Sequence, residues 1–332
     1  PRNIKLAYKG AHQCVTLGDG GLRVDAGIAS LEESAPEAWE KGGKPVSVAY
    51  AVDSLVASFS TGSYDRSKTL VIDPWGQFCV AAVDDYLLAA DSDAEGNAYA
   101  SGATYRTDIL AIAGKAVTVH ANLDITLAKY SKDGALQWSL VYGGSAHDRV
   151  MNLCVDNTGN PIIAGSAEST DLPLKNAWQD ERGKGWDFFL AKFSPDGALT
   201  WGTYFGGNNL DGPLYNAEWR CGLDAGPDGE VYICSGTQST DLPTHKGYQQ
   251  QFAGGFDIIL ARFSNDGRLA WATYFGGPMA DAGRSCIVTP QNTIVVGGVS
   301  GGGLPLRAPL QDKHGGGGGD WAKDAVLAEF DL

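Results

Sequence analysis

No stretch of the sequence approaches the roughly 20 consecutive apolar residues of a membrane-spanning helix, and nothing in it reads as a secretory signal. The chain does not begin with Met, so Pro1 is expected to be an internal position of a longer precursor. Basic charge is scarce as well: 25 Lys and Arg face 39 Asp and Glu, a formal net charge of −14. Such a chain repels a phosphate backbone and an anionic bilayer on average, so neither is expected as a partner. The six cysteines include no C-x-x-C pair, which removes the usual zinc and redox spacings. His12, His120, His147, His245 and His314 are scattered, and no Ser-His-Asp or Cys-His arrangement can be drawn through them. The run Gly315–Gly319 lacks the helix and Lys that would follow in a phosphate-binding loop, and it reads as a surface segment.

What the chain does have is glycine, 45 residues of it, with 43% hydrophobic and 19% charged residues. That is the composition of a globular chain of many short strands and tight turns. A repeat of about 65 residues organises it. Asp187-Phe-Phe-Leu-Ala-Lys-Phe-Ser-Pro-Asp-Gly leads to Trp201 and Thr-Tyr-Phe-Gly-Gly207, and it recurs from Asp257 through Trp271 to Gly277. An earlier copy runs from Asp124 through Trp138 to Gly144, and a last one starts at Asp324. Between these lie Val155-Asp-Asn-Thr-Gly-Asn-Pro-Ile-Ile-Ala-Gly165 and its counterparts from Asp93, Asp224 and Thr289, then Ser169-Thr-Asp-Leu-Pro173, matched by Ser239–Pro243.

Each half of the repeat is a hairpin of alternating apolar residues around Asp-Gly, Thr-Gly-Asn or Gly-Gly turns. Two hairpins give a four-stranded antiparallel sheet, the blade of a propeller. The expected fold is all-β: a four-bladed β-propeller in residues 76–332 behind a small β-sandwich-like domain in residues 1–75. The repeats fall at about 76–144, 145–207, 208–277 and 278–332. The last copy lacks an outer strand, so the strand 77–83 is expected to pair with 326–330 and close the ring, which would remove an exposed edge. Within residues 1–75, strands are expected at 4–8, 15–17, 22–24, 46–50, 56–59 and 70–72. The piece from Glu32 to Lys44 reads as a loop or one helical turn.

These motifs resemble the SBBP β-propeller repeat of bacterial secreted and surface proteins. Ile4–Gly10, Gly62–Arg66 and Leu70–Pro74 resemble the β-rich domain that commonly precedes it. The outer-strand aromatic is Trp here where that family usually has Tyr. The resemblance implies a fold and an extracellular, cell-surface or periplasmic location in a bacterium; it implies no catalytic residues.

The recurring Asp124, Asp187, Asp257 and Asp324 are expected to bond backbone amides of adjoining turns, and Trp138, Trp201 and Trp271 to fill space between blades. The segment up to Trp201 superficially resembles a motif of quinone-dependent dehydrogenase propellers, but no cofactor is expected. Asp156–Asn160 and Ala94–Asn97 resemble pieces of calcium loops without the full pattern; plain turns are expected, and calcium stays the one open candidate metal. The cysteines are expected to be free and buried, with a Cys221–Cys234 cross-strand disulfide as the alternative.

The residues leading into the innermost strands vary from repeat to repeat: Asp84 and Asp85, Asp148 and Arg149, Glu218 and Arg220, Asp281 and Arg284. They either seal the central channel by pairing or bind a ligand at its mouth. Asp85, Asp148, Arg149, Glu218, Arg220, Asp281 and Arg284 are the candidate site. The expected function is a non-enzymatic binding or scaffold module for a protein or glycan at the cell surface. The alternatives are a polysaccharide-acting enzyme using the mouth carboxylates, or a structural subunit of a larger extracellular complex.

Overall fold

The computed structural model describes residues 5–7, 12–25, 30–33, 35–73, 86–104, 123–132, 134–212, 220–311, 315 and 324–331. Every regular element among them is a strand, and the chain divides into two compact units, Pro1–Cys79 and Val80–Leu332.

The first unit holds β1 (Lys5–Ala7), β2 (Gln13–Thr16), β3 (Leu22–Asp25), β4 (Ser30–Glu33), β5 (Glu37–Glu40), β6 (Lys44–Pro45), β7 (Val48–Asp53), β8 (Val56–Thr61) and β9 (Leu70–Asp73). They form three antiparallel three-stranded sheets, β1-β8-β7, β2-β3-β4 and β6-β5-β9. Alternation in β3 and β8 turns Leu22, Val24, Ala57 and Phe59 into one core with Cys14 and Tyr50. The expected loop from Glu32 to Lys44 is instead mostly strand: β5 pairs with β9 through Glu37↔Asp73 to Glu40↔Leu70. Pro36 does not prevent this because it sits just ahead of the strand, where no ladder N–H is required.

The second unit is four sheets in chain order. The first is β10 (Tyr86–Ser92), β11 (Ala98–Thr104), β12 (Asp124–Tyr130) and β13 (Leu136–Tyr142). The second is β14 (Asp148–Val155), β15 (Pro161–Ala167), β16 (Asp187–Phe193) and β17 (Leu199–Phe205), and the third is β18 (Gly222–Ala225), β19 (Val231–Thr237), β20 (Asp257–Phe263) and β21 (Leu269–Phe275). The fourth has β22 (Asp281–Val288), β23 (Thr293–Ser300) and β24 (Asp324–Asp331). Each is an antiparallel meander with neighbours in sequence order. The register shifts recur at equivalent places, at Lys129/Tyr130, Lys192/Phe193 and Arg262/Phe263, so the first three sheets carry the same local increase in twist.

The sheets pack face to face in succession, one apolar core per junction. Tyr99, Ile125 and Leu127 of the first meet Val150, Leu153, Phe189 and Phe193 of the second. Cys154, Phe188 and Leu190 meet Leu223, Ile233 and Phe263; Tyr232, Ile258 and Leu260 meet Cys286, Ile294 and Val296. Leu127, Leu190 and Leu260, at one position of the repeat, are fully buried, whereas its equivalent Leu327 is 77% exposed. On the first sheet Leu87 is 55% exposed, although its equivalent Val150 is buried. The array therefore has two open faces. Among the described residues no strand pairs with the outer edge of β24 and no sheet closes on another. The expected closing strand 77–83 lies outside the described residues.

Candidate functional site

Of the seven candidate residues, Asp85 and Glu218 lie outside the described residues. Asp148 and Asp281 are not presented to any mouth: both are fully buried. Asp148 accepts from the Gly144 amide at 2.8 Å, the Ser169 hydroxyl at 2.7 Å and the Ser169 amide at 3.2 Å. Asp281 accepts from the amides of Gly277 at 2.8 Å and Gly301 at 3.2 Å. The third sheet has the same device on a residue outside the candidate set, Asp211, which takes the Gly207 amide and the Ser239 and Thr237 hydroxyls. These carboxylates tie the end of one sheet to the start of the next. The arginines differ: Arg220 is exposed and Arg149 and Arg284 are half-buried, with the Arg149 guanidinium 5.4 Å from the centre of the Trp186 ring.

Of the recurring strand-initial aspartates, Asp124, Asp187 and Asp257 are buried and Asp324 is half-buried. Asp187 accepts from the Gly183 amide at 2.7 Å, Asp257 from the Ala253 amide at 2.8 Å, and Asp324 from the Gly315 amide. A Cβ at Gly206 would overlap the Asp187 carboxylate, and Gly143 and Gly276 stand in the same relation to Asp124 and Asp257. The recurring Gly-Gly is thus the space the aspartate needs. Burial pushes Asp187 up to about 7, helped by the charge of Asp211. Burial likewise lifts Asp211 and Asp257 to about 6 and raises Asp148. Raised carboxyls of this kind commonly mark an active site; here all four are fully buried within the sheets.

The tryptophans sit at the junctions. Trp138 donates to the Pro195 carbonyl at 3.0 Å and Trp201 to the Asn265 carbonyl at 2.9 Å, each in the last turn of the following sheet. Trp271 instead donates to Lys246 and packs edge-on to Phe330.

Among the described residues, the most buried ion pair was not singled out in the sequence. Lys192 Nζ lies 2.8 Å from Asp156, with both side chains at most 2% exposed, and also donates to the Gly229 carbonyl at 3.0 Å and Asn265 Oδ1 at 2.6 Å across the junction. Burial alone would raise Asp156; the bonds from Lys192, Asn160 and Thr158 outweigh it and bring the carboxyl down to about 2. The calcium-like loop Asp156–Asn160 is therefore a self-contained turn whose carboxylate holds an ammonium. Its legible signal was the basic residue shared by Lys129, Lys192 and Arg262 in the repeat. Among the described residues no group of three or more His, Cys, Asp or Glu is placed to hold a metal ion.

Cys14, Cys154, Cys221, Cys234 and Cys286 are buried and form no disulfide. Gly222, not Cys221, lies opposite Cys234, so the two cysteines are out of register for a cross-strand bridge. Two open grooves lie in the first unit, one along Pro36–Trp39 and Pro45–Val48, the other along His12–Thr16 with Val52, Ser54 and Leu55. No helix among the described residues is long and apolar enough to cross a membrane.

Residues 1–75 match a family described as a domain of unknown function, DUF7948. No curated protein matches the chain.

Proposed function

We propose that the chain is a non-enzymatic extracytoplasmic module of a bacterial cell surface or secreted assembly, in which the four sheets are blades of a β-propeller serving as a platform for a protein or glycan. In this reading the repeats are of the SBBP type, and the ring is complete when the open face of β22–β24 is covered by a β10–β13 sheet and residues 77–83 pair with β24. The observation that carries the reading is the fate of the acids: Asp148, Asp187, Asp211, Asp257 and Asp281 are all buried and bonded inside the repeats. Among the described residues, what reaches solvent at the leading ends of the inner strands includes Arg149, Arg220 and Arg284. They stand at different steps of the repeat, Arg149 opposite Ser166 where the fourth sheet has Ala282 opposite Val299, and such asymmetry on a rigid scaffold suits a single asymmetric ligand.

A polysaccharide-acting enzyme would need two carboxylates open to substrate about 5–10 Å apart; of Asp85, Asp148 and Glu218, Asp148 is buried and the other two lie outside the described residues. The test is a glycan and peptide binding screen with the wild type and a R149A/R220A/R284A variant. Binding lost in the triple variant is expected. Binding that persists unchanged, or turnover of a bound polysaccharide, would refute the proposal.

A further inference from the structure

The two open faces of the four-sheet array differ from the internal junctions in ways that match each other. In the first three sheets a basic residue, Lys129, Lys192 or Arg262, occupies the next-to-last position of the third strand. Lys129 and Lys192 reach forward to the last turn of the following sheet, to the Pro195 carbonyl at 3.4 Å and to Asn265 at 2.6 Å. At the equivalent position of the fourth sheet stands Glu329, exposed on the open face. Glu329 accepts from the Thr293 hydroxyl at 2.6 Å and, being an acid, cannot donate to a carbonyl; the complement of its exposed side is a donor or a cation. The position of Pro195 and Asn265 in the first sheet is held by Lys132, also exposed.

Size is exchanged in the same sense. Two residues before the first turn of each sheet, the forward-facing side chain is Asp91, Cys154 or Asp224 at the internal junctions, and it abuts a following sheet carrying Leu153, Leu223 or Cys286. On the open face of the fourth sheet it is the bulkier Ile287, 59% exposed. The first sheet has the smaller, exposed Ala90 where the others carry Leu or Cys.

We propose that the open face of β22–β24 docks the open face of β10–β13 from a second copy of this chain, with Glu329 against Lys132 and Ile287 against Ala90. This rests on the reading of the sheets as propeller blades. A second copy is the occupant because within one chain the outer faces of the first and fourth sheets both stay exposed, Leu87 by 55% and Leu327 by 77%, and do not cover each other. The contact is heterologous, and made twice between two copies it closes a ring of eight sheets with no face left open, within the blade numbers propellers adopt.

The experiment is light scattering and native mass spectrometry of residues 1–332 over a range of concentrations. A dimer of the 34.9 kDa chain is expected. E329K and K132E should each weaken it about tenfold by setting like charges together, and E329K/K132E should restore it to near the wild-type affinity. Circular dichroism would check that each variant folds. A chain monomeric at every concentration overturns the proposal, whether its end faces prove protected from exchange, which would mean closure on its own first sheet, or unprotected. A dimer indifferent to both single substitutions, or one the double substitution does not rescue, overturns it equally. None of these outcomes bears on whether the arginines bind a ligand.

Discussion

Replacing Lys192 by Met keeps the aliphatic stem and removes the ammonium. Asp156 then keeps the bonds from Thr158 and Asn160 but loses its ion-pair partner Lys192 in a fully buried site. Breaking a buried pair from one side costs about 3–5 kcal/mol, most of it the stranded charge. The Gly229 carbonyl and Asn265 side chain across the junction lose a donor as well. The assay is guanidinium denaturation followed by tryptophan fluorescence on K192M, D156N and K192M/D156N. The double variant should recover much of the loss, because neutral Asn strands no charge. Lys129 is the internal control: its Nζ lies 3.5 Å from Asp93 and its side chain is 13% exposed, so K129M should cost about 1 kcal/mol or less. If K192M costs no more than K129M, or if the double variant is as unstable as the sum of the singles, the pair is not the lock between the second and third sheets.

The raised carboxyls give a pH dependence. Asp187, Asp211 and Asp257 hold their protons to about 6–7 in the folded chain, so their contribution is fully present below the unfolded value near 4 and lost as pH rises through 6–7. For Asp187 the gap of about three pKa units sets an upper bound of about 4 kcal/mol, and D187N should flatten the melting temperature between pH 5 and 8; a profile as steep as the wild type's would count against it. Asp156, depressed to about 2, works in the opposite sense, but its loss is confined to pH below about 4. Alkylation of denatured, unreduced protein should label at least the five buried cysteines, and a mass showing a disulfide among them would contradict the strand register. A Cβ on Gly267 would sit 2.7 Å from the Trp201 ring at a φ of +86°, so G267A should destabilise by roughly 1–3 kcal/mol, and a neutral result would mean the Trp does not seat on that turn.

Much of the second unit was legible because its order is written four times. The strands of the repeat follow from alternation between Asp-Gly and Gly-Gly turns, and the observed β16, Asp187–Phe193, begins at the Asp that opens the motif. The loop 32–44 was misread because Pro36 and Gly42-Gly43 signal a break, while the pairing of Glu37–Glu40 with the distant Leu70–Asp73 is a long-range contact that local pattern does not encode. The candidate site failed in a different way at Asp148 and Asp281. Charged residues ahead of an inner strand look like a channel mouth, but whether a carboxylate faces outward or folds back on Gly144 and Ser169 depends on a hydrogen bond to a residue 21 positions away. The sign that could have separated the two is Asp211, which precedes the third sheet at an equivalent place: a position that is Asp in three sheets behaves like the other recurring positions.

That distinction changes what the net charge says about a partner. Among the described residues, eight aspartates of the second unit are buried, and burial raises the pKa values of Asp148, Asp187, Asp211 and Asp257. Asp187, pushed up to about 7, is partly protonated at pH 7, so the chain carries slightly less negative charge than its formal −14. The buried acids also contribute little where a ligand would approach, because Asp148 and Asp281 spend their oxygens on backbone amides and a serine. Among the described residues, the candidate charged side chains that reach solvent at those leading ends are Arg149, Arg220 and Arg284, opposite in sign to the net charge. An anionic partner, such as a carboxylated or sulfated glycan or an acidic peptide, should therefore bind more tightly than its neutral counterpart. Arg forks suit planar carboxylate and sulfate groups, and the affinity should fall as salt is raised. A titration of uronic-acid and neutral oligosaccharides at two ionic strengths measures this directly. Preference for the neutral sugar, or affinity independent of salt, would place the binding surface elsewhere than at the arginines.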